Sequence, residues 1–116
     1  MSYDIVLVNR IKEGGIKNAV FFGNSFDRKE TPYVVIKPEA GGDRILYRFI
    51  VHAVLGTQDF LKDYVFRELP ELLKTPLEAG GKQITVRSTG HWNGPYVDGS
   101  DNTLAMSRDF YIPIIL

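Results

Sequence analysis

The sequence contains no cysteine, no excess of charge of either sign and no long apolar run. Without cysteine there is no disulfide framework, no thiolate metal site and no cysteine nucleophile. The 14 basic residues equal the 14 acidic residues, so the cationic excess typical of proteins that bind nucleic acid or anionic membranes is missing. No segment approaches the roughly 18 to 20 consecutive apolar residues of a membrane-spanning helix. The first residues, MSYDIVLVNR, also lack a basic leader, so we expect neither a signal peptide nor a membrane segment.

The composition is that of an ordinary globular domain. Hydrophobic residues make up 44% of the chain and charged residues 24%, and 116 residues are enough for one core but too few for two. The chain ends on Ile114, Ile115 and Leu116, where a polar tail is more usual. We therefore predict that a strand of the same chain, or a neighbouring copy, covers this apolar end.

Hydrophobic periodicity and turn residues predict the order helix, three strands, helix, two strands. The first segment, Tyr3 to Glu13, has helix-cap residues before it and Gly14-Gly15 after it, although its β-branched residues also favour a strand. The remaining predicted elements are strands at Asn18 to Phe22, Tyr33 to Lys37 and Arg44 to Leu55, a helix in TQDFLKDYVFRELPELLK, and strands in KQITVRS and at Thr103 to Leu116.

The central strand and the helix after it determine the predicted fold class. In RILYRFIVHAVL every odd-numbered position is apolar, which indicates a strand with one face against a helix, and the mixed other face is too apolar for bulk water. The helix carries apolar residues at three- and four-residue spacing, and Pro70 predicts a kink or a second short helix. We predict an α+β domain with a mostly antiparallel sheet of about five strands, one principal helix packed on one face, and the order α-β-β-β-α-β-β.

The catalytic and ligand-binding motifs that the sequence approaches are all incomplete. EAGGKQ lacks the first glycine and the final hydroxyl residue of a phosphate-binding loop, and GNSFD lacks the second glycine of a nucleophile elbow. The acidic residues near Asp98 and Asp101 do not match the calcium-loop template and are also typical of turns. The sequence therefore predicts no catalytic residue, no cofactor and no metal site.

Two histidines and one tryptophan remain as candidates for function. His52 lies on the mixed face of the central strand, where a surface or interface role needs fewer partners than catalysis. His91, Trp92 and Tyr96 lie in TGHWNGPYVDGSDN, which we interpret as a long polar loop, Thr89 to Asn102. Aromatic side chains in such a loop can bind a ligand or a partner, and we favour a protein contact. Arg44, Arg48, Arg87 and Arg108 lie on predicted strands, and the balanced charge predicts that they contact carboxylates rather than phosphates.

The order of these segments and their pattern of apolar and polar residues resemble those of the tail terminator, or tail completion, proteins of long-tailed bacteriophages. The resemblance spans about residues 20 to 116 and rests on TPYVVIKP, RILYRFIVHAV, DFLKDYVFRELPELL and NTLAMSRDFYIPIIL. It implies an α+β subunit that forms a hexameric ring, caps the tail tube and joins it to the head. The apolar final strand and the mixed face of the central strand fit such a ring, because a neighbouring copy would cover them.

From this resemblance we expect a structural virion protein without enzymatic activity, assembled in the host cytoplasm and located at the head-proximal end of the tail. Its expected partners are copies of itself, the tail tube protein and the head-tail connector, and DNA would pass through the ring without sequence-specific binding. Alternatives are another neck or minor tail protein, a small enzyme or ligand-binding protein using His91, Trp92, Asp98 and Asp101, and an oligonucleotide-binding module. The predicted interface residues are Arg48, Ile50, His52, Trp92, Tyr96, Tyr111, Ile112, Ile114 and Leu116.

Overall fold

The computed structural model describes residues 3–21, 30–40, 42, 44–100 and 102–113. The main helical elements are α1 (Asp4–Glu13), α2 (Gln58–Asp63), a π-helical segment (Tyr64–Glu68) and α3 (Leu69–Lys74), and the last three follow one another without a break. The strands are β1 (Asn18–Phe21), β2 (Tyr33–Ala40), β3 (Arg44–Ala53), β4 (Leu77–Ala79), β5 (Lys82–Ile84), β6 (Arg87–Asp98) and β7 (Thr103–Pro113). The predicted α+β class is confirmed.

Five strands form one sheet in the order β1-β2-β3-β7-β6, and β4 and β5 form a separate hairpin. Only β1 and β2 are parallel, and the other neighbouring strands run antiparallel. The long strand β3 therefore lies at the centre of the sheet, as its alternating sequence predicts. The first segment is a helix, although its β-branched residues also favour a strand.

All described helices pack on one face of the sheet, which we call the helix face. Tyr47, Phe49, Val51 and Ala53 of β3 point into the core there, so the strand's apolar odd positions are confirmed as its buried side. Leu55 lies beyond the end of β3 and is exposed. The helices contribute core residues from the beginning and the middle of the chain: Leu7, Ile11, Leu61, Tyr64, Val65, Leu69 and Leu73.

The π-helical segment has a cause that is visible in the sequence. Leu61, Val65, Leu69 and Leu73 are all buried and follow one another at intervals of four residues. An α-helix completes a turn in 3.6 residues, so three such intervals would rotate the last side chain away from the core. A π-helical turn takes up the extra residue and keeps the four side chains on one face. The segment thus satisfies a hydrophobic period that a regular α-helix does not fit.

Pro70 and Arg108 complete this arrangement. The amide of Leu69 donates to the carbonyl of Tyr64, which is the π-helical spacing. At the same spacing residue 70 would donate to Val65, but proline has no N–H. The Arg108 Nη1 atom donates to the Val65 carbonyl oxygen instead, at 3.3 Å. The predicted second helix near Pro70 is confirmed, because α3 begins at Leu69 with the proline in its first turn.

The predicted loop from Thr89 to Asn102 is wrong, because most of it belongs to strand β6. The strand pairs with β7 from Arg87 to Asp98, with register irregularities between Ser88 and Trp92 and between Asn93 and Tyr96. Most of its side chains are exposed, since it forms an edge of the sheet, and this gives the sequence the composition of a loop. The first part of the predicted strand KQITVRS forms β5 in the separate hairpin, and its last two residues, Arg87 and Ser88, begin β6, so the fifth strand of the sheet lies mostly in the predicted loop.

Strand β2 extends beyond the predicted end at Lys37 and includes Pro38. Its described pairing with β1 runs to Ile36, so Pro38 lies past the paired part of that edge that the structure describes, as expected for a proline in a strand. The predictions for Ile114, Ile115 and Leu116 lie outside the described residues. Across the described ranges, no helix is long and apolar enough to cross a membrane.

Candidate interaction surface

The second face of the sheet carries a network of charged residues centred on Arg48. We call this face the open face, because none of the described helices lies on it. The guanidinium of Arg48 donates two hydrogen bonds to the carboxylate of Asp109, from Nε at 3.0 Å and from Nη2 at 3.3 Å. Glu39 lies 3.5 Å from the same guanidinium. The hydrogen bond to Asp109 is the main cause that raises the pKa of Arg48 above its usual value.

Asp109 is only 4% exposed, so Arg48 neutralises a buried carboxylate at the middle of the sheet. A buried charge that loses its partner is strongly destabilising. Among the described residues, Arg48 is the strand arginine that forms ion pairs with carboxylates, as predicted. Its first role is therefore to stabilise the subunit, and its exposed third is what remains for a partner.

His52 belongs to a buried cluster farther along the open face. Its ring stacks on Tyr33 with the centroids 4.5 Å apart, and its Nδ1 lies 2.9 Å from the hydroxyl of Thr103. The carboxylate of Asp98 is 3.9 Å from the same nitrogen. His52 is 6% exposed, so this cluster joins β2, β3, β6 and β7 within one subunit and leaves the imidazole little contact area for a partner.

The outer strand β6 is shaped against simple strand-to-strand association. Gly94 has a φ of +108°, and a Cβ there would lie 2.9 Å from the backbone oxygen of Ala105. Pro95 follows, and both residues lie within the register shift between Asn93 and Tyr96. Bulges and proline are devices that protect sheet edges from pairing with other chains. Contacts with another molecule are therefore expected from side chains on the faces and ends of the sheet rather than from this edge.

The two aromatic residues predicted in this region lie on opposite faces of the sheet. Trp92 pairs with Arg108 on the helix face, where its ring meets Phe66 edge to face at 5.1 Å. Tyr96 pairs with Ala105 on the open face, and burial together with Asp98 raises the pKa of its hydroxyl. Trp92 is 49% exposed and Phe66 is 42% exposed. The pair forms an apolar surface beside the π-helical segment.

A second apolar surface lies at the end of the sheet where β3 and β6 finish. We call it the apolar end and define it by Val54, Leu55, Phe60 and Val97, whose exposed fractions are 58%, 42%, 42% and 63%. Val97 pairs with Leu104, and Leu104 pairs with Ala53, which directly precedes Val54. Val54 and Phe60 line one shallow groove together with Ala53. Sequence reasoning missed this surface, although VLGTQDF contains apolar residues on both sides of a glycine turn.

The predicted interface residues are distributed unevenly. Ile50 and Tyr111 are partly buried on the open face, and the Tyr111 ring lies 5.0 Å from the guanidinium of Arg44. Ile112, in contrast, is 3% exposed and packs in the core on the helix face, so only a small part of its surface can reach a partner. The sequence places Ile112 at an interface because an apolar terminal strand looks uncovered until the helices are in place. Ile114 and Leu116 lie outside the described residues.

The described residues of the alternative enzyme site are not brought together, and its fourth residue, Asp101, lies outside the described residues. Trp92 faces the helices while Asp98 faces the open side. The backbone N–H of His91 donates to the Thr89 hydroxyl, but its imidazole makes no hydrogen bond to a described side chain. In a Ser-His-Asp arrangement the nucleophile and the carboxylate use different ring nitrogens. Around His52, both Thr103 and Asp98 approach Nδ1. Within the part of the chain that the structure describes, no group of three His, Asp or Glu side chains is placed to hold a metal ion.

Neither a scan against protein-family models nor a comparison with curated protein sequences finds a match to this chain.

Proposed function

We propose that this chain is a structural subunit of a bacteriophage tail, a terminator whose copies form a hexameric ring on the tail tube. The ring would end polymerisation of the tube at the head-proximal side, offer a docking surface to the head connector and let DNA pass through its lumen. The activity requires no catalytic group and no cofactor. The proposal joins the resemblance of the segments to a physical property of the folded subunit.

The observation that carries the proposal is the apolar end. Four large apolar side chains, two of them more than half exposed, lie together at one end of an elongated domain measuring 44 × 28 × 24 Å. Burial of apolar surface contributes about 25 cal/mol per Å². Clustered exposed apolar residues of this kind typically mark an association surface. A subunit that functions alone would have no reason to keep them in water.

The aromatic pair Phe66 and Trp92 supports a second contact. It lies beside the π-helical segment, away from the residues that define the apolar end. A tail terminator needs at least two kinds of contact, one with its ring neighbours and one with the tube or the connector. Two separate exposed apolar surfaces on one small domain fit that requirement, and Trp92 keeps its predicted interface role in this proposal.

The experiment is to purify the full chain, measure its mass by light scattering and image it by negative stain, alone and with purified tail tubes. We expect particles of six times the 13.1 kDa subunit, or rings at one end of each tube. The double variant Val54→Ser with Leu55→Ser should lower the fraction of assembled protein at least tenfold. Lys12→Ser serves as the control, since Lys12 is exposed and lies near the end of α1, away from the apolar end. A strictly monomeric protein that binds no tail tube would refute the proposal.

A further inference from the structure

A cavity of about 500 Å³ lies at the end of the sheet opposite the apolar end. It is bounded by the beginning of α1, strand β5, the beginning of β6 and the end of β7. We call it the basic pocket. Its apolar lining comes from Tyr3, Ile84, Ile112 and Pro113, and its charged lining from Lys82 and Arg87. The volume is sufficient for a large apolar side chain, and the cations form part of its wall.

The charges of the basic pocket are not balanced by the described residues around them. Lys82 and Arg87 make no ion pair with any carboxylate in the described part of the chain. Arg44 lies nearby, because its guanidinium sits over Tyr111 and Tyr111 is the cross-strand neighbour of Arg87. This contrasts with Arg48, which two carboxylates neutralise. The pocket therefore presents positive charge that a partner can neutralise.

The apolar end carries the opposite charge. Asp59 precedes Phe60 on α2 and is exposed, and Asp98 follows Val97 at the end of β6. The ten residues of β3 separate this end from the basic pocket, a distance of about 33 Å at 3.3 Å per residue. One end of the subunit thus combines exposed apolar side chains with the exposed carboxylate of Asp59, while Asp98 contacts the His52 cluster. The other end combines an apolar-lined cavity with cations.

We propose that the basic pocket of one copy receives the apolar end of a second copy, with Phe60 and its neighbours in the cavity and Asp59 facing Lys82 and Arg87. The whole chain has a formal charge of zero, so an excess of cations at one end is matched by carboxylates elsewhere on the same molecule. Zero net charge also gives no long-range attraction for nucleic acid, which makes a second copy the better occupant.

Such a contact is heterologous, because two different surfaces of the same subunit meet. Repetition of a heterologous contact closes into a ring or continues as a filament, depending on the angle between successive copies. The inference rests on the proposed function in one respect: we expect the contact to close at six copies and so to form the proposed ring. The contact itself is a separate claim, since rings built through any other surface would leave the basic pocket empty.

Disulfide trapping tests the contact directly, because the chain contains no cysteine of its own. Gln58→Cys places a thiol beside the apolar end, and Gln83→Cys places one in the wall of the basic pocket. Mixing the two single variants under mild oxidation should give a covalent dimer in high yield. The double variant should give a ladder of covalent species that stops at six. Gln58→Cys mixed with Lys12→Cys, on the exposed side of α1, is the control and should not cross-link.

Charge reversal gives a second measurement. Lys82→Glu with Arg87→Glu should weaken self-association at least tenfold, and adding Asp59→Lys should restore at least a third of the loss. Lys12→Glu should change nothing. Rings that form without cross-links between positions 58 and 83, or a loss that Asp59→Lys does not restore, would overturn the inference and leave the ring intact. A ladder that continues past six would support the contact and refute the ring. A monomer without cross-links would refute both.

Discussion

The double variant Pro70→Ala with Arg108→Met tests why the principal helix contains a π-helical segment. Arg108→Met removes the donor to the Val65 carbonyl, a hydrogen bond of 3.3 Å from a charged group. Hydrogen bonds to charged groups contribute about 1.5 to 3 kcal/mol when buried, and we take the lower value because this one is partly buried. The guanidinium also lies 5.6 Å from the Phe110 ring, which adds about 0.5 kcal/mol. We expect the single variant Arg108→Met to lose about 2 kcal/mol of unfolding free energy.

The same substitution should cost less when residue 70 is alanine. Alanine restores an N–H at the position that would donate to Val65 in continuation of the bond from Leu69 to Tyr64. The cost of Arg108→Met should then fall to about 1 kcal/mol, which corresponds to a coupling of about 1 kcal/mol between the two sites. For a domain of this size the difference is roughly 4 °C in melting temperature.

Urea denaturation of the original protein, the two single variants and the double variant measures this coupling. All four are compared at the same protein concentration. Arg67→Met is the matched control. Arg67 lies on the same continuous helical stretch as Pro70, but its guanidinium pairs with Asp63 in solvent. It should leave the unfolding free energy nearly unchanged and show no coupling with Pro70→Ala, as expected for an exposed ion pair. An unchanged cost of Arg108→Met in the Pro70→Ala background would show that the Val65 carbonyl does not depend on the arginine, and the explanation would fail.

Tyr64→Phe should raise the unfolding free energy by about 1 kcal/mol in the same assay, because the buried Tyr64 hydroxyl has no described hydrogen-bond partner; a loss of stability would refute this. Arg48→Met should lower the unfolding free energy by about 2 kcal/mol, because the buried carboxylate of Asp109 would lose its cation. An unchanged unfolding free energy would contradict this stabilising role of Arg48. Gly94→Ala should lower the melting temperature by more than about 5 °C, while Gly99→Ala, in open space, should leave it nearly unchanged. Burial raises the pKa of Tyr47 to about 12, so its stabilising contribution is complete below pH 10 and is lost as the pH rises toward 12; Tyr47→Phe should flatten this part of a pH–stability curve.

The sequence by itself determined the elements whose periodicity comes from local geometry. The strict alternation of β3 predicts a strand, because every second side chain of a strand points to the same face. The buried row Tyr47, Phe49 and Val51 follows from this alternation. The amphipathic helix was legible for the same reason, including a second helical segment near Pro70. Even the π-helical segment has a sequence signal, the constant four-residue spacing from Leu61 to Leu73. A search for residues three or four positions apart accepts this spacing as an ordinary α-helix and does not detect the difference.

Only the tertiary structure decided what depends on neighbours distant in sequence. Strand β6 is exposed and polar, and nothing but its pairing with β7 distinguishes it from a loop. The bond between Arg48 and Asp109 joins residues 61 positions apart, and Ile112 is covered because the helices fold over it. The basic pocket and the apolar end likewise exist only once the strands run the length of the domain. Periodicity records which face of an element is buried, whereas pairing partners and surface clusters are set by long-range contacts that no local pattern encodes.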